Sequence, residues 1–224
     1  MRLLDLFCGA GGAAMGYHRA GFDEIVGVDI APMPRYPFRF VRGDALEYLA
    51  AHGHEFDAIH ASPPCQAYSV CKNLKTARSD YLDLVAPTRS ALVATGKPFV
   101  IENVNGAPLK NPLMLCGSMF GLGVLRHRLF ECNPPVWFPP HPCDHRGGAL
   151  SMLWKTRVQK LAAGQAFRYI TVAGNSFLVP EASRAMGIDW MTRRELAQAI
   201  PPAYTLFVGT HLLEAVVAKE QVAQ

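Results

Sequence analysis

Leu3-Leu4-Asp5-Leu6-Phe7 is an apolar run that reads as a buried strand, and the glycine turn Gly9-Ala10-Gly11-Gly12 follows almost at once. A helical stretch from Ala13 to Ala20 comes next, stopped at Gly21, and then a second apolar run, Ile25-Val26-Gly27-Val28-Asp29. Strand, tight turn, helix and strand within about thirty residues have the size of one right-handed parallel crossover. A crossover lays its helix on a sheet face, so the opening of the chain commits it to an α/β fold built on a doubly wound, mainly parallel sheet.

The pattern continues with a short third strand at Phe38 to Val41, a helix opened by Asp44 and running to Ala51, and a fourth strand at Ala58 to Ala61. Helical spacing from Tyr81 to Thr95, broken once near Pro87, ends at Gly96-Lys97-Pro98 before a strand at Phe99 to Ile101. Beyond about Glu131 prolines 134, 135, 139, 140 and 142 cluster with Trp137, Phe138 and glycines 147 and 148. This predicts an irregular insertion with a few short strands, Tyr169 to Ala173 being the clearest. Periodicity returns at Thr192-Arg193-Arg194-Glu195, which has capping-box spacing, with Leu196, Ala199 and Ile200 following on one face and a last helix from Ala203 to Ala218. The expected organisation is a core over residues 1–131, a small insert over 132–191, and carboxyl-terminal helices over 192–224 that return to the core.

With half of its 224 residues apolar and 18% charged, the chain is not a disordered tail, and it is long enough to bury a sizeable interior. Its six cysteines show no small-domain disulfide spacing, so they are expected to be reduced and the protein to be cytoplasmic. The first strand starts too early to leave room for a signal peptide, and no run of about twenty apolar residues offers a membrane span. The formal charge is +4, yet between Asp144 and Arg194 eight Lys and Arg face three acids. A basic segment on a near-neutral core is what a nucleic-acid contact surface looks like, although a solvated loop face has the same composition.

Two strand ends carry the chemistry. Ala61-Ser62-Pro63-Pro64-Cys65-Gln66 places a thiol after two stiffening prolines, and Val100-Ile101-Glu102-Asn103-Val104 ends an apolar run in a carboxylate. Parallel α/β sheets gather their chemistry at strand carboxyl ends, so Cys65 and Glu102 are expected over one crevice, where the pair suggests nucleophilic catalysis. Arg126 and Arg128 alternate along a probable strand and so share a face. The glycine turn lets backbone approach a ligand, and Asp29 closes the second strand where it can accept ribose hydroxyls, which together suggest a nucleoside cofactor. Gly9-x-Gly11-Gly12 departs from the dinucleotide fingerprint, which disfavours NAD.

Four blocks in order, Asp5-Leu6-Phe7-Cys8-Gly9-Ala10-Gly11-Gly12, Pro63-Pro64-Cys65-Gln66, Glu102-Asn103-Val104 and Arg126-His127-Arg128, make the chain similar to the DNA (cytosine-5) methyltransferase family. The likeness covers roughly residues 1–131 and resumes at 196–213. It implies a Rossmann-like, S-adenosylmethionine-dependent methyltransferase core with a target-recognition insert, here a short one, acting as a monomer on double-stranded DNA. A cognate restriction enzyme is the partner such an enzyme implies, and the small insert points to a phage or mobile-element source. Carried onto this sequence, Cys65 is the implied nucleophile and Glu102 its acid, while Arg126 and Arg128 steady the base and the active-site loop. Phe7, Gly9, Gly11 and Gly12 form the implied cofactor turn, Asp29 with Ile30 the ribose side, Asp44 the acid near the adenine amino group, and Pro64 the wall between cofactor and base. Ala199 and Ile200 stand for the carboxyl-terminal cofactor block, and Gln66, Ser69, Lys72, Lys75 and Arg78 for DNA contacts in a loop that closes on the base. Val124 and Ala197-Gln198-Ala199-Ile200 depart from the family pattern at the loop anchor and at the cofactor block.

His141-x-Cys143-x-His145, with Cys132 upstream, fits no common zinc spacing, so no metal ligand is assigned. Gly174-Asn175-Ser176 reads as a turn or a base contact, with Asn175 the candidate reader. The same motifs leave open an RNA cytosine substrate, a derivatised one-carbon donor, and a DNA-binding pseudoenzyme.

Overall fold

The computed structural model describes residues 1–66, 68, 82–150, 167–175 and 177–222. Its main sheet has seven strands, β1 (Arg2–Leu6), β2 (Glu24–Asp29), β3 (Arg39–Arg42), β4 (Ala58–Ala61), β5 (Phe99–Asn103), β6 (Leu113–Leu115) and β7 (Arg128–Asn133), in the order β3-β2-β1-β4-β5-β7-β6. Strands β1 to β5 run parallel, and β7 lies antiparallel between β5 and β6. From β1 the chain winds outward on one side to β2 and on the other to β4, which opens a crevice at the carboxyl ends of those strands.

Helices α1 (Gly12–Ala20) and α6 (Pro202–Val222) cover one face, where Tyr17, Phe22, Tyr204, Val208 and Leu212 share a core with Leu3 and Phe130. On the other face α2 (Ala45–His52) and α3 (Val85–Thr95) bury Leu49 and Leu92 against Leu4, Val26, Ile59 and Ile101. Burial on both faces explains why the central strands read as near-continuous apolar runs. Asp44 caps α2, its Oδ1 accepting from the amides of Leu46 and Glu47 at 2.8 and 3.0 Å. Pro87 does not break α3: it lies in the first turn, where the missing N–H forfeits no helical bond. Residue 81, the expected start of that helix, lies outside the described residues.

The described residues of the insert are less irregular than its composition predicts. Its expected strand shrinks to β9 (Tyr169–Ile170), parallel to β8 (Ala149–Leu150). Helix α4 (Val179–Met186) then opens with proline in its first turn and ends at Gly187, signals the proline-rich context obscured. Helix α5 (Arg193–Gln198) begins in the expected capping box between Thr192 and Glu195. Val172, Phe177, Ala182, Met186, Ile188 and Leu196 form a third apolar cluster that also includes Ala10 of the glycine turn. The carboxyl half of the insert is therefore packed onto the rim of the crevice.

Close approach of α1 and α6 depends on Gly16. A Cβ there would run into Thr205 Oγ1 and the Pro202 carbonyl, and would lie 2.7 Å from the Leu206 amide. The Thr205 hydroxyl in turn donates to the Ala13 carbonyl at 2.8 Å. Gly16→Ala is expected to destabilise the fold by about 1–3 kcal/mol, read as a lower urea midpoint. A midpoint equal to wild type would show that the helices can part without loss.

Asp5 is wholly buried in β1, its Oδ2 accepting from the Tyr36 hydroxyl at 3.0 Å while Oδ1 has no partner. Burial pushes its carboxyl up from 3.8 to about 7, against the Tyr36 hydrogen bond. An acid whose pKa is raised on folding binds its proton more tightly in the native state. Stability is thus greatest below the unfolded value and falls as pH rises from about 4 to about 7. Asp5→Asn, which cannot ionise, is expected to flatten that slope in urea titrations at successive pH values. Parallel profiles for the two proteins would refute the assignment.

Candidate active site

The β4 strand delivers the thiol. Ser62 donates its amide to the Leu6 carbonyl at 3.1 Å, which continues the sheet one residue past β4, and the prolines then turn the chain so that half-buried Cys65 stands at the crevice. Asn103, at the end of β5, donates its Nδ2 to the Pro63 carbonyl at 2.9 Å and fixes this turn from the neighbouring strand. Asn103 belongs to the block noted in the sequence, but its tethering role depends on a contact between strands.

Glu102 lies on β5 with only 7% of its side chain exposed, and Arg128 Nε is 3.1 Å from its Oε1. Register explains the pair: Glu102 and Asn103 face Phe130 and Leu129 across the antiparallel ladder, so Arg128 lies just beyond the end of β5. Burial raises the Glu102 carboxyl above its usual range, outweighing the opposing effects of Arg128, the Ser62 hydrogen bond and Arg126. The Cys65 thiol is also raised, chiefly by burial, with Arg128 pulling it down and Glu102 pushing it up. Cys65, Glu102 and Arg128 therefore share one electrostatic environment, as their strand-end positions predict.

Behind Glu102 runs a buried polar row. Tyr17 Oη lies 2.9 Å from His60 Nδ1, His60 Nε2 lies 2.9 Å from Ser62 Oγ, and Ser62 bonds to Glu102. Burial pushes His60 down to about 3, so its ring is neutral and carries a single N–H. With Glu102 ionised, Ser62 donates to the carboxylate, His60 Nε2–H donates to Ser62, and the Tyr17 hydroxyl donates to Nδ1. With Glu102 protonated, every bond in the row can reverse, so the acid is satisfied in either state. His60 and Ser62 were not picked out from sequence, because their roles depend on contacts with Tyr17 of α1 and Glu102 of β5.

Arg126 makes contacts that its sequence position did not show. It precedes β7, and its terminal nitrogens donate to the carbonyls of Val172 at 2.5 Å and Ala197 at 2.8 Å. Its own carbonyl accepts from the Tyr204 hydroxyl at 2.5 Å. Arg126 thus ties the crevice to the insert, the carboxyl-terminal block and α6, while its buried Nε has no partner. Both the Arg126 guanidinium and Cys65 feel each other's charge.

The glycine turn forms the adjoining wall. Phe7, Gly9 and Gly11 have φ of 55°, 50° and 82°, and Gly11 caps α1 with no side-chain bond, leaving the helix amino terminus open to a ligand. A Cβ on Gly11 would meet Pro37 Cδ at 2.5 Å, and one on Gly12 would strike the Ile200 carbonyl. Ala199 and Ile200 accordingly pack on the turn. Trp190, which the sequence did not single out, donates its Nε1–H to the Ala10 carbonyl at 2.8 Å. Asp29 uses Oδ2 to accept from Gly9 N at 3.1 Å and Oδ1 from Ala31 N at 3.0 Å, so it also braces the turn. Each oxygen keeps a further lone pair. Ile30 beside it is 73% exposed and Pro64 is half-buried. Asp44 serves first as the cap of α2.

Gln66 is exposed next to Cys65, whereas Ser69, Lys72, Lys75 and Arg78 lie outside the described residues. Several basic groups here already have partners: the exposed Arg146 and Arg168 pair with Asp144 at 2.9 and 3.1 Å, and Arg193 at the start of α5 donates to the carbonyls of Asn175 and Phe177. Arg184 and Arg194 are exposed, Asn175 contributes its carbonyl to Arg193, and residue 176 is outside the described set. Among the described residues no helix is long and apolar enough to cross a membrane.

The sheet order, with its antiparallel strand next to the edge, and the glycine-turn crevice define a Rossmann-like methyltransferase fold. Solved structures agree: a DNA modification methyltransferase encoded within an Escherichia coli prophage superposes with a TM-score of 0.58 at 14% identity, covering 97% of this chain and 99% of its own. The Schizosaccharomyces pombe Dnmt2 methyltransferase gives 0.60 at 13% identity, over 96% and 99%. The profile of the C-5 cytosine-specific DNA methylase family matches residues 1–112, and the chain belongs to that family. Among curated relatives it is 34% identical over 120 residues to Type II methyltransferase M.XorII of Xanthomonas oryzae pv. oryzae, covering 46% of this chain and 28% of that protein. It is 32% identical over 127 residues to Type II methyltransferase M.AquIA of Picosynechococcus sp., covering 47% and 49%. The matched regions thus span at most about half the length of these two relatives.

Proposed function

We propose that this protein transfers a methyl group from S-adenosylmethionine to C5 of a cytosine flipped out of double-stranded DNA. The observation that carries the reading is the convergence of Cys65, buried Glu102 and Arg128 at adjoining strand ends beside an uncapped, glycine-built helix amino terminus. The turn fits the cofactor: Phe7, Gly9, Gly11 and Gly12 would admit its amino-acid end to the α1 amino terminus, Asp29 and Ile30 its ribose and base, with Asp44, Ala199 and Ile200 closing the rim. When bound, the cofactor supplies an electrophilic methyl group.

Cytosine C5 is a poor nucleophile until a thiolate adds to C6, and that is the role of Cys65. As the S–C6 bond forms, electron density moves into the ring and N3 takes up the proton held by Glu102, whose raised pKa suits it to that donation. Arg128 holds Glu102 in register and offsets negative charge at the thiol. The unpartnered Arg126 Nε is a buried donor available to the substrate. After C5 is methylated, solvent water takes up the C5 proton, the C5–C6 double bond returns as the Cys65 thiolate is expelled, and N3 returns its proton to Glu102. Stacking shields C6 in a duplex, so the base must leave the helix to reach Cys65. Pro64 would wall the pocket, with Gln66, Ser69, Lys72 and Arg78 contacting the DNA around the flipped base. Residues 132–191 would form the target-recognition insert, seated by its own apolar cluster.

Incubation with isotopically labelled S-adenosylmethionine and either duplex DNA or RNA, followed by nucleoside mass spectrometry, tests the proposal. Labelled 5-methyldeoxycytidine from DNA supports it. Label only in RNA, or a DNA product other than 5-methylcytosine, overturns the substrate assignment, and no label at all overturns the activity.

A further inference from the structure

Four metal-ligating side chains from three separate segments meet at the entry to β7. Cys116 precedes the short 3-10 turn Gly117–Phe120, His127 stands between the two arginines, and Cys143 and His145 come from the proline-rich loop. Cys143 Sγ is 3.5 Å from His127 Nε2 and 2.8 Å from His145 Nε2, and Cys116 Sγ is 3.5 Å from His145 Nε2. All four ligand atoms lie within 4.8 Å of one another. We propose that Cys116, His127, Cys143 and His145 bind one zinc ion as a closed structural site.

The geometry suits zinc. Bonds of about 2.3 Å to sulfur and 2.0–2.1 Å to nitrogen put the corners of a tetrahedron about 3.3–3.8 Å apart, so two of the sulfur–nitrogen separations already match and small side-chain rotations adjust the rest. Two thiolates and two imidazoles in tetrahedral array are a zinc donor set, and four protein ligands leave no open position for catalysis. Supporting contacts are also present. Ser118 Oγ lies 3.4 Å from Cys116 Sγ and 3.5 Å from Cys143 Sγ, and it accepts from the Asp144 amide at 3.1 Å. One hydroxyl thus donates to the Cys116 sulfur, touches that of Cys143 and holds the loop that carries the second. Cys116 is fully buried while His145 is exposed, so the pocket has a wall and an entrance.

Spacing in the sequence could not identify this set. The His141 and Cys132 that made the linear pattern look zinc-like are outside it: Cys132 sits on β7 opposite Val100, and Cys116 and His127 take their places. The His127 ring meets Cys143 and His145, whereas Arg128 reaches Glu102. The ion would therefore anchor the backbone that aims that guanidinium and clamp the loop after the cis Asn133-Pro134 bond onto the core. Its role is positioning and stability.

Metal content measured without DNA or methyl donor tests this independently of activity. Protein purified without chelators under reducing conditions is expected to retain about one zinc per chain, and cobalt(II) exchanged into it should show the absorption bands of a tetrahedral thiolate–imidazole site. Cys143→Ser and His145→Ala should each lose most of the metal and lower the melting temperature, whereas Cys132→Ser and His141→Ala should keep both. Wild-type protein that takes up no zinc on reconstitution would overturn the proposal. So would full metal retention in Cys143→Ser and His145→Ala, or a Cys116–Cys143 disulfide in folded, metal-free protein isolated without reductant.

Discussion

Cys65→Ala is expected to lower kcat/KM for cytosine methylation by on the order of 10^4-fold or more, the scale on which loss of a covalent nucleophile is felt. The reason is electronic: without addition at C6 nothing raises the nucleophilicity of C5, however well the base and cofactor are held. The thiol is half-buried at the crevice, and the turn that carries it is held by Asn103 through Pro63. The variant should therefore fold and bind S-adenosylmethionine as wild type does. Duplex DNA carrying 5-fluorocytosine provides the direct readout, because fluorine cannot leave as the C5 proton does and the thioether is trapped. Wild-type protein should give a species that survives denaturing electrophoresis and Cys65→Ala none. Turnover within tenfold of wild type would remove the covalent mechanism, and an adduct in the alanine variant would assign the nucleophile elsewhere.

Glu102→Gln should cost about 10^2–10^4-fold in kcat, the range for a positioned general acid, with cofactor affinity little changed. Glutamine matches glutamate in size and can still bond to Ser62, but it has no acidic proton to give to N3. The pH dependence separates this role from a merely structural one. Activity needs Cys65 deprotonated and Glu102 protonated, and burial raises both groups above their usual values. The wild-type rate should rise with pH as the thiol ionises and fall as Glu102 loses its proton. Glu102→Gln should abolish the alkaline fall while keeping the rise. A variant with wild-type kcat, or one that retains the same alkaline limb, would show that Glu102 is not the acid.

Much of this site lies in local patterns. Cys65 and Glu102 could be placed over one crevice because each ends a strand of parallel type, and such ends converge whatever the details of packing. The glycine turn was equally readable, since Gly9 and Gly11 occupy positive φ that other residues resist. Arg126 was harder. Its spacing from Arg128 suggested joint action, yet two of its donors go to Val172 and Ala197, carbonyls from regions far along the chain. The row from Tyr17 through His60 and Ser62 left no sequence signal, because it joins α1, β4 and β5 through side chains that are individually ordinary. The same holds for Trp190 on Ala10, and for helix α4 and its apolar cluster within the insert.

Strand and helix identity, the β-α-β opening, the glycine turn and the order of the motif blocks follow from the linear chain, because each is set by residues a few positions apart whose periodicity and backbone preferences act locally. The sharing of one electrostatic field by Cys65, Glu102 and Arg128, the diversion of Arg126 to carbonyl anchors and the replacement of Cys132 and His141 by Cys116 and His127 required the fold. Those depend on strand register and on which loop closes over which face. Such contacts join residues far apart in sequence, and a string of residue types carries no distances between them.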